Sequence, residues 1–316
     1  MTVSATSADV TPSTEPADNP QSVASRGTFP LTVVVLAKNE AANLPRCLDA
    51  VAWCDQVIVV DDHSTDGSAA IAGKHGAEVV VRAFDTFAGQ RNAVLDDPIV
   101  RNDWVLMLDA DEVVRPQLRA EIERTLPQAG GEVVGFKMCR RTMLLDRWLK
   151  RSDGFPVWIM RLVRRGGPRF ADSGHGEVPV PTVEGELGTL REPFDHFAFS
   201  RGLTDWVQRH LRYADREAKK ELRLQQRRDE AEAVRWSDLV ARDKPTRRAA
   251  QRRLSRRVPG RPVLRFLYQY VAKGGFLDGS AGLIFCTLMA GYEGFIGLRK
   301  RELRREGWSD DADASD

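Results

Sequence analysis

The stretch Trp104-Val-Leu-Met-Leu108 runs straight into Asp109-Ala-Asp111, and its reading decides the fold. A short, uninterrupted apolar run that stops at paired carboxylates describes a strand buried on both faces, with polar groups at its carboxyl end. Two earlier runs repeat the pattern. Leu31-Thr-Val-Val-Val-Leu-Ala37 ends in Lys38-Asn39-Glu40, and Gln56-Val-Ile-Val-Val-Asp61 is followed by Asp62-His-Ser-Thr-Asp-Gly67. Between them Leu44, Cys47, Leu48 and Val51 fall at helical spacing, which predicts a helix over 43–53. Further helices are expected over 68–75 and 90–95, and a third strand over 77–82. Strands alternating with helices predict an α/β domain, with a Rossmann-like, mostly parallel sheet and helices on both faces.

In open sheets of this kind ligands bind beyond the carboxyl ends of the strands, where loops converge and helix N-termini offer backbone N–H groups. Glu40, Asp61, Asp62, Asp109 and Asp111 all fall there. Asp61 has no apolar reason to end a buried strand, and a carboxylate facing a base edge or a ribose hydroxyl would explain it. Ser64 or Thr65 could cap the next helix, and Asp66-Gly67 could be only a turn. Asp109 and Asp111, one residue apart at a strand end, can both reach a hard divalent cation. Such an ion prefers oxygen ligands and would hold the diphosphate of a nucleotide sugar.

Composition narrows the classes. The 316 residues, 42% of them hydrophobic, suffice for a buried core and exclude a peptide hormone, a fibre or a wholly disordered chain. Net charge is only +2, but it is unevenly spread: 20 Lys/Arg and 9 Asp/Glu stand between Arg201 and Arg265, and residues 309–316 hold four Asp and no base. A basic surface facing phosphate, acidic lipid or nucleic acid would produce that split, as would a solvated helix face. Cys47, Cys54, Cys139 and Cys286 form no CxxC pair, which suits reduced thiols acting as small apolar filler. No charged start followed by an apolar run opens the chain, so no secretory signal is expected.

Downstream of Asp111 an amphipathic helix is predicted over 116–126, a strand over 131–141 and a long helix over 201–232, followed by exposed helix or linker over 223–261. Segment 140–170 is basic and interleaved with Trp148, Phe155 and Trp158. Segment 274–298 holds Asp278 and Glu293, and its longest uncharged run is 14 residues, short of the ~20 that a spanning helix needs. It is expected either as a buried helix of a second lobe or as an interfacial helix, which Lys273, Arg299, Lys300 and Arg301 would dock on anionic headgroups.

Several motifs share one resemblance. They are Leu31 through Glu40, Val59-Val-Asp-Asp-His-Ser-Thr-Asp66, Gly89-Gln-Arg-Asn92 and Leu108-Asp-Ala-Asp-Glu112, continued by Arg161-Leu-Val-Arg-Arg165, His175-Gly-Glu177, His196-Phe-Ala-Phe-Ser200 and Gly275-Phe-Leu-Asp-Gly279. As a set they resemble the GT-A domain of family 2 inverting glycosyltransferases, most closely the lipopolysaccharide core type that includes β-1,4-glucosyltransferases. The resemblance runs over about residues 30–300. It implies a metal-dependent transfer of sugar from a nucleotide sugar, UDP-glucose or a relative, to a cell-envelope glycan or glycolipid such as lipopolysaccharide core. It further implies that Ala37 and Glu40 line the nucleoside pocket, Asp61 contacts the base and Arg91 sits near the diphosphate. Asp109 and Asp111 would then bind ribose and the Mg2+ or Mn2+. An inverting displacement needs a carboxylate or His to take the acceptor hydroxyl's proton. Glu177 leads, Asp153 is second, and His175 is expected as a positioning donor. Where similar proteins carry Tyr-Pro-Asp before the Arg-Leu segment, this chain has Phe155-Pro-Val157.

The expected organisation is a disordered leader over 1–28, the transferase domain over 29–200, a helical and basic region over 201–305 and an acidic tail over 306–316. A cytoplasmic place is expected, with the inner face of the cytoplasmic membrane as an option. Two other readings stay open. One keeps the fold and transfers sugar onto polyprenyl phosphate. The other is a nucleic-acid binder using segment 140–170; it leaves the strand-end carboxylates unexplained, so no nucleic-acid partner is expected. A dinucleotide-binding enzyme is disfavoured because Lys38-Asn-Glu-Ala-Ala42 lacks GxGxxG.

Overall fold

A computed structural model describes residues 27–172, 177–180, 184–229 and 260–308. Four strands make its parallel part: β1 (Phe29–Ala37), β2 (Cys54–Asp61), β3 (Glu78–Val81) and β4 (Trp104–Asp109), joined by α1 (Leu44–Asp49), α2 (Ser68–Lys74) and α3 (Phe87–Asp96). Their order is β3-β2-β1-β4. Val35 of β1 lies opposite Val59 of β2 on one side and Leu108 of β4 on the other.

The two-residue period of a strand sorts the apolar run between two cores. Val33, Val35, Val57, Val59, Leu106 and Leu108 point to one face, where Leu44, Cys47 and Ala72 of α1 and α2 meet Leu118 and Ile122 of α4 (Pro116–Thr125). Val34, Ile58, Val60, Val105 and Met107 point to the other, under Ala88, Val94 and Leu95 of α3. Because both faces are covered, these strands read as continuous rather than alternating apolar runs.

Past β4 the sheet becomes mixed. β8 (Val157–Arg164) is antiparallel to β4 and to β6 (Val133–Leu144). β12 (Phe194–His196) runs parallel to β6 and antiparallel to β5 (Glu112–Val113), so it returns residues 194–196 to the end of the acidic triplet. β11 (Glu186–Thr189) also pairs with β6, and β7 (Arg147–Trp148) folds back on β6 as a hairpin. β9 (Arg169–Asp172) and β10 (Glu177–Val180) form a separate antiparallel pair. The expected parallel arrangement thus describes β1 to β4, three of which carry the acidic ends, and hairpin returns supply the rest.

The C-terminal region is helical, as expected. It comprises α5 (Gly202–Asp229), α6 (Arg261–Leu267), a π-helical turn at Tyr268–Ala272, a 3-10 turn at Gly275–Asp278 and α7 (Gly279–Arg305). Ala214, Ala218 and Leu222 of α5 pack on Ile296 and Leu303 of α7. Between these helices Lys300 Nζ meets Glu221 at 2.6 Å, and Arg261 meets Glu221 at 3.1 Å and Glu293 at 2.7 Å. Ala281 and Phe285 of α7 pack on Leu144 and Leu149, which joins this region to the β6–β7 hairpin. The expected leader up to residue 26, most of the expected linker (230–259) and the acidic tail from 309 lie outside the described residues. All four cysteines are buried, and none is in a disulfide. Burial pushes the Cys139 and Cys286 thiols up to about 11.

Candidate active site

The loops after β1 and β2 are laced together by their own polar side chains. Asn39 stands at φ 53° and His63 at φ 49°, left-handed conformations that polar residues tolerate best. The Asn39 N–H donates to Ser64 Oγ at 2.8 Å, and its Oδ1 accepts from the Thr65 N–H at 2.8 Å. Asp66 accepts from the Ala41 N–H at 3.0 Å and the Ser68 N–H at 3.1 Å, while Ser68 Oγ accepts from the Glu40 N–H at 2.9 Å. Gly67, at φ 86°, lets the chain turn into α2. The Asp-His-Ser-Thr-Asp-Gly run is therefore more than a turn and a cap. It fixes the β1 loop to the β2 loop at the carboxyl edge of the sheet.

At the end of β2 Asp61 is 3% exposed. Its Oδ2 accepts from the Ser64 N–H at 3.0 Å, while its buried Oδ1 has no hydrogen-bond partner. A buried carboxylate oxygen without a partner is costly, and a donor group brought by a ligand would satisfy it. Ala37 is buried at the end of β1, and its carbonyl accepts from the Asp62 N–H at 3.0 Å. Glu40 Oε2 accepts from Asn43 at 2.6 Å and Oε1 from Arg201 at 3.3 Å. Burial pushes its carboxyl up, and the charge of Asp111 adds to that against Asn43 and Arg201.

The two carboxylates of the triplet have different surroundings. Asp109 is held from both sides, by Arg91 at 2.7 Å on Oδ1 and by Arg161 at 2.8 Å on Oδ2. Arg161 also reaches Glu112 at 2.6 Å, and Glu112 Oε2 accepts from the Asp109 N–H at 3.1 Å. Burial alone would raise the Asp109 carboxyl, but the Arg161 and Arg91 charges overcome it and hold the group far below the usual carboxylate range. Arg91, expected beside the diphosphate, is fully buried and donates to Asp109 Oδ1, which it braces.

Asp111 instead faces His196 of β12, with Oδ2 3.5 Å from Nε2. Burial would raise the Asp111 carboxyl, yet the charge and hydrogen bond of His196 keep it below its ordinary value. Burial likewise opposes protonation of His196, and Asp111 nonetheless holds the imidazole above its ordinary value. His196 Nδ1 is buried with no hydrogen-bond partner. Among the described residues no three His, Cys, Asp or Glu side chains are grouped to hold an ion on their own. One carboxylate and one imidazole fit a divalent ion that takes its remaining ligands from a diphosphate and water. They do not fit a closed structural site.

Asp153 lies one strand further along. Its Oδ2 accepts from Thr142 Oγ1 at 2.6 Å and lies 3.5 Å from Arg140, and Thr142 is the register partner of His196. The carboxylates of Glu40, Asp61, Asp109, Asp111 and Asp153 thus gather along one edge. Glu177 begins β10, opposite Asp172 in the two-stranded ribbon outside the main sheet; its side chain and all of His175 lie outside the described residues. The sequence reading missed His196 beside Asp111, Arg161 as the brace of Asp109, and Arg201 and Arg209 near the first turn of α5. His196 and Arg161 both open motifs quoted above. Their partners depend on the return of β12 and the antiparallel β8, which sequence spacing does not register.

Residues 32–169 match the family model described as Glycosyl transferase family 2. The chain is 40% identical over 97 residues to an uncharacterized glycosyltransferase of Rickettsia bellii, covering 30% of this chain and 32% of that protein. It is 29% identical over 171 residues to the lipopolysaccharide core biosynthesis glycosyltransferase LpsC of Rhizobium meliloti, covering 52% of this chain and 61% of LpsC. The chain therefore spans less than two thirds of these relatives. Among solved structures, the mannosyltransferase PcManGT of Pyrobaculum calidifontis, in complex with GDP-Man and Mn2+, is 18% identical with a TM-score of 0.45, covering 89% of this chain and 90% of that one.

Proposed function

With residues 32–169 forming a family 2 glycosyl transferase domain, we propose that the chain is a metal-dependent inverting glycosyltransferase. Its donor would be a nucleotide sugar, UDP-glucose or a relative, and its acceptor a cell-envelope glycan or glycolipid of the lipopolysaccharide core class. The observation that carries this reading is the strand-end edge itself. A buried carboxylate with an unmatched oxygen, Asp61, ends β2 on the same edge of the sheet at which the Asp111–His196 pair follows β4. In this reading Asp61 takes a donor group of the base, Ala37 and Glu40 bound the nucleoside, and Asp109, braced by Arg91 and Arg161, accepts from the ribose hydroxyls.

Asp111 and His196 would hold the Mg2+ or Mn2+, which when bound neutralises charge on the departing diphosphate. The acceptor hydroxyl gives its proton to a carboxylate, its oxygen bonds to the anomeric carbon, and the bond from that carbon to the diphosphate breaks with its electron pair leaving on the nucleotide. We favour Asp153 for the proton, since its neighbour Thr142 pairs with His196 across β6 and β12; Glu177 is the alternative, from a ribbon beside the sheet. The division at residues 200 and 201, with catalysis assigned to the first part, belongs to the same proposal.

The test is transfer from labelled UDP-, GDP- and TDP-sugars with Mn2+ to either core oligosaccharide or polyprenyl phosphate. Acceptor-dependent product that disappears in Asp111→Ala supports the reading, and the productive acceptor identifies the class. Full activity of Asp111→Ala, or no sugar released from any donor, contradicts it.

A further inference from the structure

We propose that the helical hairpin formed by α6 and α7 is a docking face for an anionic lipid bilayer, on which the protein lies without crossing it. Twenty large apolar side chains are exposed among the described residues, and eleven of them fall within 263–298. That concentration is not the scatter usual for a soluble surface. On α6 and the turn after it Val263, Leu267 and Val271 recur every fourth residue, and Phe276 and Leu277 continue the surface through the 3-10 turn. On α7 the stripe passes through Ile284, Phe295 and Leu298. These residues are between 36% and 63% exposed. Arg261 meets Glu293 at one end and Gly275 approaches Cys286 at the other, so α6 and α7 run antiparallel and cover each other's flanks.

Charge chooses the occupant. The β6–β7 hairpin lies against the apolar turn. A Cβ on Gly274 would meet the Arg151 side chain at 3.5 Å, and one on Gly279 would meet Arg147 at 3.1 Å. At the tip of that hairpin Leu145 is 65% exposed at φ 49°. Arg147, Lys150, Arg151 and Lys273 are exposed around this edge, and none forms an ion pair with a described residue, against one exposed hairpin carboxylate, Asp146. Apolar and aromatic side chains fringed by cations suit phospholipid headgroups. A two-fold contact between copies would lay the same cationic fringe against itself.

The stretch Gly275–Arg305 has the length and composition to cross a bilayer, but its opposite side argues against that. Glu293, Arg299 and Lys300 are tied to Arg261, Asp215 and Glu221. Insertion would carry α5's charges into hydrocarbon or break the pairs.

The face also joins the candidate site. Asp278 Oδ2, beside Phe276 and Leu277, accepts from the Arg151 N–H at 2.9 Å, the Ser152 N–H at 2.8 Å and Ser152 Oγ at 2.7 Å, and Gln269 donates to the Ser152 carbonyl at 3.0 Å. The segment that carries Asp153 is thereby fixed to the docking surface. Its use in presenting a lipid-borne acceptor rests on the proposed reaction; the docking itself does not.

The test is co-sedimentation of the full chain with vesicles of phosphatidylcholine and phosphatidylglycerol in equal parts, and with phosphatidylcholine alone. Binding is expected to the anionic vesicles, to be released by alkaline carbonate, and to fall about tenfold both in Phe276→Glu/Leu277→Glu and in Arg147→Glu/Lys150→Glu. Transfer to a soluble acceptor by the first variant should be unchanged, which separates this result from failure of the proposed reaction. Four results would overturn the proposal: absence of vesicle binding, equal binding to neutral vesicles, binding indifferent to both variants, or retention through carbonate. So would a lipid-free dimer that Phe276→Glu/Leu277→Glu dissociates.

Discussion

Asp109 and Asp111 are chemically identical side chains one residue apart, yet their partners give them opposite duties. Asp109 bridges Arg91 and Arg161, both buried, and Arg161 is shared with Glu112. Neutralising the carboxylate that both guanidiniums share weakens a buried charge network, so Asp109→Asn should destabilise the protein by about 3 kcal/mol. Asp111→Ala should lower the melting temperature less than Asp109→Asn does, while abolishing turnover. Thermal melts of the two variants beside wild type check this; equal destabilisation would deny the division of labour. Asp61→Asn keeps the shape of the side chain but changes what its buried oxygen and its partner site can accept. Uridine nucleotide affinity should fall about tenfold by calorimetry, and an unchanged affinity would place the base elsewhere. The position of these carboxylates at strand ends was legible from the residues alone. Which of them is braced and which faces a histidine was not, because Arg161 and His196 arrive from strands whose register depends on long-range pairing.

At the scale of elements, short ties between the sheet and the helices control the site's geometry. Asp278 accepts three hydrogen bonds from the Arg151–Ser152 segment. Asp278→Ala should cost about 2 kcal/mol and lower turnover through misplacement of Asp153, with donor binding retained. Loss of donor binding instead would mean that the tie serves the nucleotide side. Between α5 and α7, burial would raise the Glu221 carboxyl, but Lys300 and Arg261 hold it below its ordinary value of 4.5. A carboxylate depressed on folding contributes stability above its unfolded value and loses it as pH falls through the folded one. The melting temperature should therefore drop as pH is lowered below 4.5, and Glu221→Gln should be less stable at neutral pH with a flatter acid limb. A parallel shift of the whole curve would show that the pair carries no pH dependence.

Sequence periodicity placed the parallel strands and the long helices close to where they stand. It extended the first helix to residue 53, whereas α1 ends at Asp49 and the chain turns so that Trp53 Nε1 donates to the Ala50 carbonyl at 3.0 Å. The two-residue β5 and β7 carry too little pattern to be read, and they are what bring β12 and the hairpin into place.

Across the whole molecule, charge that looks like a binding surface in the sequence is largely consumed inside. Within the basic 140–170 segment Arg140 pairs with Asp153, Arg141 with Asp195, Arg161 with Asp109 and Glu112, and Arg169 with Asp96, while Arg164 and Arg165 donate to backbone carbonyls. The cations left facing solvent cluster instead beside the apolar turn of the C-terminal helices. Linear order could not distinguish the two sets, since Arg147 and Arg151 lie within the same run as Arg141 and Arg161. The carboxyl edge of β1, β2 and β4 remains the feature from which the rest follows. Its most direct test is calorimetric titration of the wild-type chain and Asp111→Ala with uridine, guanosine and thymidine diphosphates in the presence and absence of Mn2+. Expected is Mn2+-dependent binding of at least one nucleotide by wild type that Asp111→Ala loses. Binding indifferent to both the metal and the substitution, or no binding of any of the three, would contradict it.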